Sequence, residues 1–365
     1  LAAFAPSRQR QRFVSRAGPD NPGLEAAAEA IERADRPAVV VGLQVSRRGQ
    51  EAERAFAAFA EKLGVPVLAS LAAKGTLPEQ HPLAVGTFRG AASERPLLDQ
   101  ADLLVVIGYD VVELFAPGVW SYPQPVVMLD EVPHLEGTIR PEVEVVAGLE
   151  DSLRVLTELV PARSRWNRED IEAYKQQRAQ ALRPKGEGLM PAAVIRLARE
   201  RLPDDGIMTV DAGSHKVLAT DLWETRRRRG YLSSSGLGTM AVALPAAIAA
   251  KLVEPQTPVV CLTGDGGFIM RAGDLETAAR EGLPIVVVVF NDHTLNLIKI
   301  QQDRRGFERN GTAFAECDFA AVARGFGFEA TTVDSEEALD TALATAFASG
   351  KPWLIDAMIN PDGYV

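Results

Sequence analysis

Residues 259–268 read Val-Val-Cys-Leu-Thr-Gly-Asp-Gly-Gly-Phe, and residues 285–294 read Ile-Val-Val-Val-Val-Phe-Asn-Asp-His-Thr. Each stretch is an apolar, β-branched run that ends in turn-forming residues, a pattern typical of a buried strand followed by a loop. Asp292 follows Asp265 by 27 positions, which is the length of one strand–helix–strand unit. Such a unit has the carboxyl ends of both strands at the same edge of a parallel sheet, where ligands bind. We therefore predict that these two carboxylates lie together at one sheet edge.

The residues that follow these two strands predict a site for a phosphate group and a cation. Glycines after the first strand let the backbone approach a phosphate closely, and N–H groups of the turn and the next helix bind anions. Asp265 and Asp292 supply hard oxygen donors of the kind that Mg²⁺ prefers. A Gly-Asp-Gly turn or an Asn-Asp loop start is common when it stands alone. The pair at this spacing is more specific than either turn.

The alternation of strand and helix patterns extends over nearly the whole chain. Further strands are predicted at 37–41, 102–107, 125–129, 207–210 and 353–359, and helices at 24–33, 51–63, 241–252, 272–280, 319–324 and 336–348. The charged region 161–188 lacks strand patterns, and a helix predicted at 167–182 shows little core character. We predict an α/β fold class with two doubly wound parallel-sheet domains. The predicted boundaries are a Rossmann-like domain at 1–160, a linker at 161–189 and a second domain at 190–365.

The composition limits the partners that the chain can have. Its 365 residues are 47% hydrophobic, enough for two domains with separate cores. No apolar run reaches the roughly 18 residues of a membrane span, so no membrane partner is expected. The net charge of −10 argues against nucleic acid, and the arginine run 226–229 is predicted to be a solvated loop. Two cysteines, Cys261 and Cys317, argue against a disulfide framework and favour a reducing, cytoplasmic location.

The Gly-Asp-Gly and Asn-Asp pair resembles the signature of the thiamine diphosphate-dependent enzymes, and other segments are similar to the acetolactate synthase family in particular. These segments are Asp-Ala-Gly-Ser-His at 211–215, Gly-Leu-Gly-Thr-Met at 236–240, Ala-Leu-Pro-Ala-Ala-Ile at 243–248, Leu-Ile-Lys-Ile-Gln-Gln at 297–302, and 74–82 and 101–110 in the first half. The resemblance covers about 24–359. It implies the family's central domain followed by its diphosphate-binding domain.

The resemblance implies thiamine diphosphate and Mg²⁺ as cofactors and gives roles to individual residues. Asp265 and Asp292 would bind Mg²⁺ through their side chains, and Thr294 through its backbone carbonyl. Gly238 would offer its carbonyl to the aminopyrimidine ring, and Met240 would hold the cofactor bent. The implied cofactor contacts are Gly213, Ser214, His215, Gly238, Met240, Asp265, Gly266, Gly267, Asp292, Thr294, Asn296 and Leu297. Taken alone, Met240 also fits an ordinary core position and His215 a surface loop.

The sequence departs from the family at its amino-terminal end. We expect no counterpart here of the family's pyrimidine-binding domain and its activating glutamate, because residues 1–23 are too few to form that domain. We therefore expect no catalytic residue in this chain, weak cofactor binding and no turnover by the chain alone. The missing domain or a partner subunit would complete the site, and homo-oligomerisation is expected because exposed apolar faces associate.

The substrate side is less defined. Gln301, our substrate-side candidate, is similar to the residue that catabolic acetolactate synthases have at this position. Asn296 also resembles the polar residue of catabolic relatives. Gly238, in contrast, follows the pattern of the biosynthetic enzymes. Residues 109–113 lack the arginine motif that accompanies flavin, so FAD is not expected. The resemblance implies decarboxylation and carboligation of 2-oxo acids such as pyruvate. Two alternatives stay open, namely another decarboxylase or lyase using this cofactor, and a non-catalytic nucleotide-binding module. Residues 42–45 carry no dinucleotide fingerprint, which disfavours the second alternative.

Overall fold

The computed structural model describes residues 21–90, 92–110, 113, 120–134, 139–162, 166–183, 186–234 and 236–364. The prediction for the amino-terminal end falls mainly on residues 1–20, which lie outside the described residues. Two positions of the flavin-motif comparison, Val111 and Val112, also lie outside them.

The first half of the chain forms a six-stranded parallel sheet in the order β3-β2-β1-β4-β5-β6. This order is that of a doubly wound dinucleotide-binding domain. Its strands are β1 Pro37–Val41, β2 Val67–Ser70, β3 Ala84–Phe88, β4 Leu103–Ile107, β5 Val126–Asp130 and β6 Val143–Val146. Its helices are α1 Pro22–Arg33, α2 Leu43–Arg48, α3 Gln50–Leu63, α4 Arg95–Leu98, α5 Leu149–Leu159 and α6 Arg168–Ala181.

The second half forms another six-stranded parallel sheet, in the order β11-β12-β10-β9-β7-β8. Its strands are β7 Ile207–Val210, β8 Tyr231–Ser233, β9 Val259–Gly264, β10 Ile285–Asn291, β11 Glu329–Val333 and β12 Trp353–Met358. Its helices are α7 Pro191–Arg201, α8 Ser214–Leu222, α9 Ala243–Val253, α10 Asp265–Arg271, α11 Asp274–Arg280, α12 Asn296–Arg304, α13 Phe319–Gly325 and α14 Glu336–Ser349. The predicted α/β class with two doubly wound parallel sheets is confirmed.

The strand order of the second sheet locates a ligand crevice. β7 lies between β8 and β9. The chain passes from β7 to β8 on one side and continues from β9 to β10 on the other, so the strand order reverses between β7 and β9. In doubly wound sheets a crevice opens outside the carboxyl ends of the strands at such a switch point. All seven residues of β10 are buried, as expected for a central strand covered by helices on both faces.

The predicted linker region 161–189 contains α6, which packs on the first sheet. Ile171 and Tyr174 of this helix are buried in the first core, and Trp166 Nε1 donates a hydrogen bond to the Pro37 carbonyl at 2.7 Å. The segment therefore carries more core contacts than its charged sequence indicates. The exact domain boundaries stay predictions.

The arginine run 226–229 is ion-paired rather than simply solvated. Its first three members bind carboxylates from distant parts of the sequence, and only a minor part of each side chain is exposed. The pairs are Arg226 with Asp204 at 2.5 Å, Arg227 with Glu254 at 2.9 Å and Arg228 with Glu53 at 3.0 Å.

Two further sequence predictions concern the membrane and the cysteines. Among the helices of the described ranges, none is both long and apolar enough to cross a bilayer. Cys261 is buried in β9 and Cys317 is exposed, and both are free thiols.

Candidate functional site

A cavity of about 230 Å³ opens at the carboxyl ends of β7, β9 and β10. All the cofactor contacts predicted above lie on its wall, whereas Gln301 is exposed on α12 and is not one of its lining residues. Six lining residues had no cofactor contact assigned from sequence, namely Ala212, Phe290, Leu295, Ile298, Tyr364 and Gly264, the last of which belongs to the predicted Gly-Asp-Gly turn. A larger, more open depression of about 540 Å³ lies between β11 and α14, but Glu337 is the one charged residue on its wall.

Asp265 joins the two loops that the sequence singles out. It starts α10 directly after β9, and its Oδ1 accepts a hydrogen bond from the Gly266 N–H at 2.6 Å. Its Oδ2 accepts from the N–H groups of Thr294 at 3.1 Å and Asp292 at 3.3 Å, both in the loop after β10. The carboxylate thus fixes the separation of the two strand ends.

Asp292 lies beside Asp265, because its Oδ1 accepts a hydrogen bond from the same Thr294 N–H at 3.0 Å. Its Oδ2 accepts from Asn296 Nδ2 at 2.9 Å. Burial, with the charge of Asp265 added, raises the pKa of Asp292 to about 6. Burial also raises the pKa of Asp265. A cation bound between these two neighbouring carboxylates would stabilise their ionised forms.

Ser214 and His215 line the same cavity with buried polar atoms that lack partners. Ser214 Oγ and His215 Nε2 have no hydrogen-bond partner within the described residues. The His215 ring stacks on Phe290 with centroids 5.2 Å apart. Burial lowers the pKa of His215 to about 4 against the opposing effect of Asp211, so the ring is neutral at pH 7. Buried polar atoms without partners are uncommon, and a bound anion would satisfy Ser214 Oγ, and also His215 Nε2 in the tautomer that has its proton on that nitrogen.

Glycines keep the cavity open between these groups. A Cβ atom on Gly213, whose φ is +152°, would come within 2.7 Å of His215 Cε1. A Cβ on Gly264 would lie 3.1 Å from the same atom, and one on Gly266 would lie 2.9 Å from Leu295 Cδ2. Bare backbone at these positions is what close approach to a phosphate requires.

Asp211 is a supporting residue that sequence reasoning did not assign to the site. Its Oδ1 accepts hydrogen bonds from the Val242 N–H at 2.6 Å and the Ala243 N–H at 2.9 Å, and its Oδ2 accepts from Thr263 Oγ1 at 2.8 Å. These bonds join the end of β7 to the start of α9 and the end of β9. Ala241, between Met240 and the bonded N–H groups, has a φ of +63°, a strained conformation that this network holds in place.

The donor set fits Mg²⁺ bound together with a phosphate, and does not fit a metal held by protein side chains alone. The described ranges contain no cluster of three or more His, Cys, Asp or Glu residues that could hold a metal ion. Mg²⁺ is commonly bound by one or two carboxylates together with phosphate oxygens and water. The Thr294 carbonyl accepts a hydrogen bond from the Asn296 N–H at 2.7 Å and retains a second lone pair. Its role as a metal ligand stays a prediction.

Mg²⁺ binding should strengthen as the pH rises from 5 to 7. At pH 5 the cation must displace a proton from Asp292, whose pKa is about 6, so we expect about tenfold weaker binding than at pH 7. Because this folded-state pKa lies above the ordinary value of 3.8, the metal-free fold should lose stability as the pH rises through 6. Urea unfolding at both pH values measures the stability of the metal-free fold, and the same unfolding in the presence of thiamine diphosphate, with and without Mg²⁺, measures the binding. Asp292→Asn should remove most of the pH dependence, and its persistence in that variant would contradict the assignment.

Two models of protein families match the chain. The central domain of thiamine pyrophosphate enzymes matches residues 24–156, and the C-terminal thiamine pyrophosphate-binding domain of the same enzymes matches residues 211–357. The second match spans all the residues that line the cavity except Tyr364.

Curated relatives match over more than nine tenths of the chain. The chain is 29% identical over 355 residues to the acetolactate synthase of Bacillus subtilis (strain 168). The aligned region covers 92% of this chain and 61% of the relative. The chain is 32% identical over 352 residues to the catabolic acetolactate synthase of Raoultella terrigena, with coverages of 93% and 62%. For the probable acetolactate synthase large subunit of Methanocaldococcus jannaschii the identity is 28%, with coverages of 93% and 60%. The chain thus spans 60–62% of the length of these three relatives.

Proposed function

Because this chain belongs to the thiamine pyrophosphate enzymes and contains their central and C-terminal domains, we propose that it acts in an acetolactate synthase-like reaction. Thiamine pyrophosphate is another name for thiamine diphosphate. The proposed reaction decarboxylates a 2-oxo acid such as pyruvate and joins the remaining fragment to a second 2-oxo acid. One observation carries the proposal: two buried polar atoms without partners, Ser214 Oγ and His215 Nε2, share one cavity with the Asp265–Asp292 pair.

In this proposal each side of the cavity binds one part of the cofactor. Asp265, Asp292 and the Thr294 carbonyl hold Mg²⁺, while Ser214 and His215 donate hydrogen bonds to the diphosphate. This task requires the neutral tautomer of His215 with its proton on Nε2, because that N–H donates without adding a charge that would compete with Mg²⁺ for the phosphate oxygens. When bound, thiamine diphosphate supplies the electron sink for the decarboxylation.

Met240 and the loop before it would hold the other end of the cofactor. The methyl group of Met240 lies 3.3 Å from the position that a Cβ on Gly266 would take, so the side chain reaches across the cavity floor. Asp211 fixes the start of α9 directly after this loop through two backbone N–H groups. We propose that this support lets Met240 keep the cofactor bent and lets the Gly238 carbonyl meet the aminopyrimidine ring.

Exposed apolar side chains support a larger assembly. Leu237 is 95% exposed in the loop that carries Gly238, and Met270 of α10 is 60% exposed. Apolar groups beside a ligand site are often covered by another domain or subunit. We propose that such a partner, in a homo-oligomer, completes the site and supplies the group that activates the aminopyrimidine end. The isolated chain would then bind the cofactor weakly and turn nothing over.

Isothermal titration calorimetry of the 365-residue chain tests the cofactor assignment. We expect heat of binding for thiamine diphosphate in the presence of Mg²⁺, and little without the cation, because the phosphate and the carboxylate pair repel each other. NAD and ADP serve as controls. Binding of a nucleotide but not of thiamine diphosphate would contradict the proposal. Product analysis with pyruvate on a protein that carries the complementary domain separates acetolactate formation from simple decarboxylation to an aldehyde.

The alternative of a nucleotide-binding module meets an obstacle in the first domain. Glu113 lies at the carboxyl edge of that sheet, where its Oε2 accepts hydrogen bonds from the N–H groups of Leu43 and Asp110, each at 3.1 Å. Its Oε1 accepts one from Ser70 Oγ. The start of α2 after β1 is where a dinucleotide phosphate binds in this fold, and a buried carboxylate there repels one. The same contact supports the proposal that FAD is not a cofactor.

A further inference from the structure

Helix α8 connects the candidate cofactor site to the first domain. Its first two residues, Ser214 and His215, carry the polar atoms without partners on the cavity wall. Its C-terminal end, about 13 Å away for nine residues, lies against β3 of the first sheet. Lys216 Nζ donates a hydrogen bond to the Ser234 carbonyl, which ties the same helix to the chain segment before Gly238.

The C-terminal carbonyl groups of α8 are bonded to side chains of the first domain. Lys74 Nζ donates a hydrogen bond to the Thr220 carbonyl at 3.1 Å, and Thr87 Oγ1 donates to the same oxygen at 2.9 Å. The Lys74 side chain is only 1% exposed and forms an ion pair with Glu79 at 2.5 Å. A cation at the C-terminal end of a helix is favourable, because the helix dipole is negative there.

Asp221, the next residue of α8, forms two buried ion pairs. Its Oδ2 lies 2.8 Å from Arg89 Nη2, and its Oδ1 lies 2.6 Å from Arg178 Nη2. The Asp221 side chain is 7% exposed, and the two arginine side chains are 12% and 11% exposed. Arg178 also donates to the Val85 carbonyl at 2.9 Å and lies against Gly86, where a Cβ atom would overlap its guanidinium group. One carboxylate thus joins α8, the strand β3 region and α6.

We propose that Asp221 is a positioning residue for cofactor binding: the first domain holds the C-terminal end of α8 through it and so fixes Ser214 and His215 at the other end. A rigid α-helix transmits the orientation of one end to the other, and a diphosphate needs its donors within a fraction of an ångström of the bound geometry. The identity of the ligand rests on the proposed function. The role of the first domain is then to orient α8 rather than to bind a nucleotide.

The test compares Asp221→Asn with Arg228→Gln. Arg228 also joins the two domains, through Glu53 at 3.0 Å and the Ser46 carbonyl at 3.0 Å, but it lies outside α8. For Asp221→Asn we expect the Kd of thiamine diphosphate at saturating Mg²⁺ to rise at least about fivefold. For Arg228→Gln we expect a change below about twofold. Hydrogen exchange of the amides at 215–218 should accelerate in Asp221→Asn and not in Arg228→Gln.

Thr87→Val provides a milder variant if Asp221→Asn does not fold. It removes one hydrogen bond to the Thr220 carbonyl and leaves the ion pairs in place, and it should weaken binding and loosen α8 in the same direction. Equal losses of affinity in the Asp221 and Arg228 variants, or unchanged exchange at 215–218 in Asp221→Asn, would overturn the positioning role. Absence of thiamine diphosphate binding by the unmodified chain would overturn the proposed function, and the exchange measurement would still decide the role of Asp221.

Discussion

Replacing Asp265 with asparagine should weaken Mg²⁺-dependent binding of thiamine diphosphate by more than about 100-fold, the upper end of the cost of outer-shell changes at metal sites. The substitution removes a charged ligand. It also puts an amide NH₂ group where a carboxylate oxygen now accepts hydrogen bonds from the Asp292, Thr294 and Gly266 N–H groups. Whichever way the asparagine amide turns, at least one of these N–H groups faces the amide NH₂ group, which is itself a donor and cannot accept its hydrogen bond. Calorimetry with Mg²⁺ and thiamine diphosphate measures the loss.

Asp292→Asn is the matched control for this prediction. Asn296 donates its amide N–H to Asp292 and is able to turn over, so that it accepts a hydrogen bond from an asparagine at 292 instead. The neutral amide oxygen of an asparagine at 292 is still able to bind the metal. We therefore expect a far smaller loss of affinity than for Asp265→Asn, with near-normal folding by circular dichroism. Equal losses in the two variants would contradict distinct roles for the two carboxylates.

Gly267→Ala should disrupt both the site and the fold around it. A Cβ atom at this position would overlap Asp211 Oδ2 and lie 3.1 Å from Thr263 Oγ1, which are themselves hydrogen-bonded. Relief of the clash requires Asp211 to move, which strips acceptors from the buried Val242 and Ala243 N–H groups. Each buried donor left without a partner costs about 1–3 kcal/mol, so we expect a loss of several kcal/mol in the free energy of unfolding of the second domain. Urea unfolding followed by circular dichroism measures this loss.

Gly273→Ala provides the control in the same region. Gly273 has a helical φ of −62°, and a Cβ atom there would meet no atom within 4 Å. Alanine is a better helix former than glycine, so this substitution should leave the fold unchanged or stabilise it by up to about 1 kcal/mol. A similar loss of stability in both variants would show that the Asp211 contact does not matter.

The central strands were predictable because they are buried on both faces. The apolar runs 259–263 and 285–290 predicted β9 and β10, because continuous β-branched sequences mark such strands. Each strand extends one residue beyond its run. β6 and β11 were not predicted, because both are partly exposed and their mixed polarity conceals any period. β8 has only three residues. β2 and β3, with four and five residues, were not predicted either, and these five strands depend on pairing with neighbours more than on their own sequence pattern.

Most cavity residues recognised from sequence lie directly after the predicted strands β7, β9 and β10, whereas Gly238 and Met240 follow β8, which was not predicted, and were assigned through the family resemblance. Asp211 was not recognised as a hub because two of its partners, Val242 and Ala243, follow it by 31 and 32 positions. Tyr364 reaches the cavity from a turn at 361–363, which Asn360 ties to the Glu187 and Leu189 carbonyls. The arginine run 226–229 was misread for the same reason, since its acidic partners come from remote segments. Contacts of this kind arise only from tertiary structure and leave no local pattern.

The pairing of two carboxylates without a third His, Cys, Asp or Glu ligand among the described residues has a consequence for how the site fills. Under the proposed function, neither Mg²⁺ nor the diphosphate finds a complete binding site alone, because each supplies part of the other's coordination. Linkage requires that each ligand tighten the binding of the other by the same factor. Occupancy then follows the product of two concentrations, so the site acts as a coincidence detector. Titration of Mg²⁺ at increasing fixed levels of thiamine diphosphate would reveal this as a steady fall in the apparent Kd of the metal.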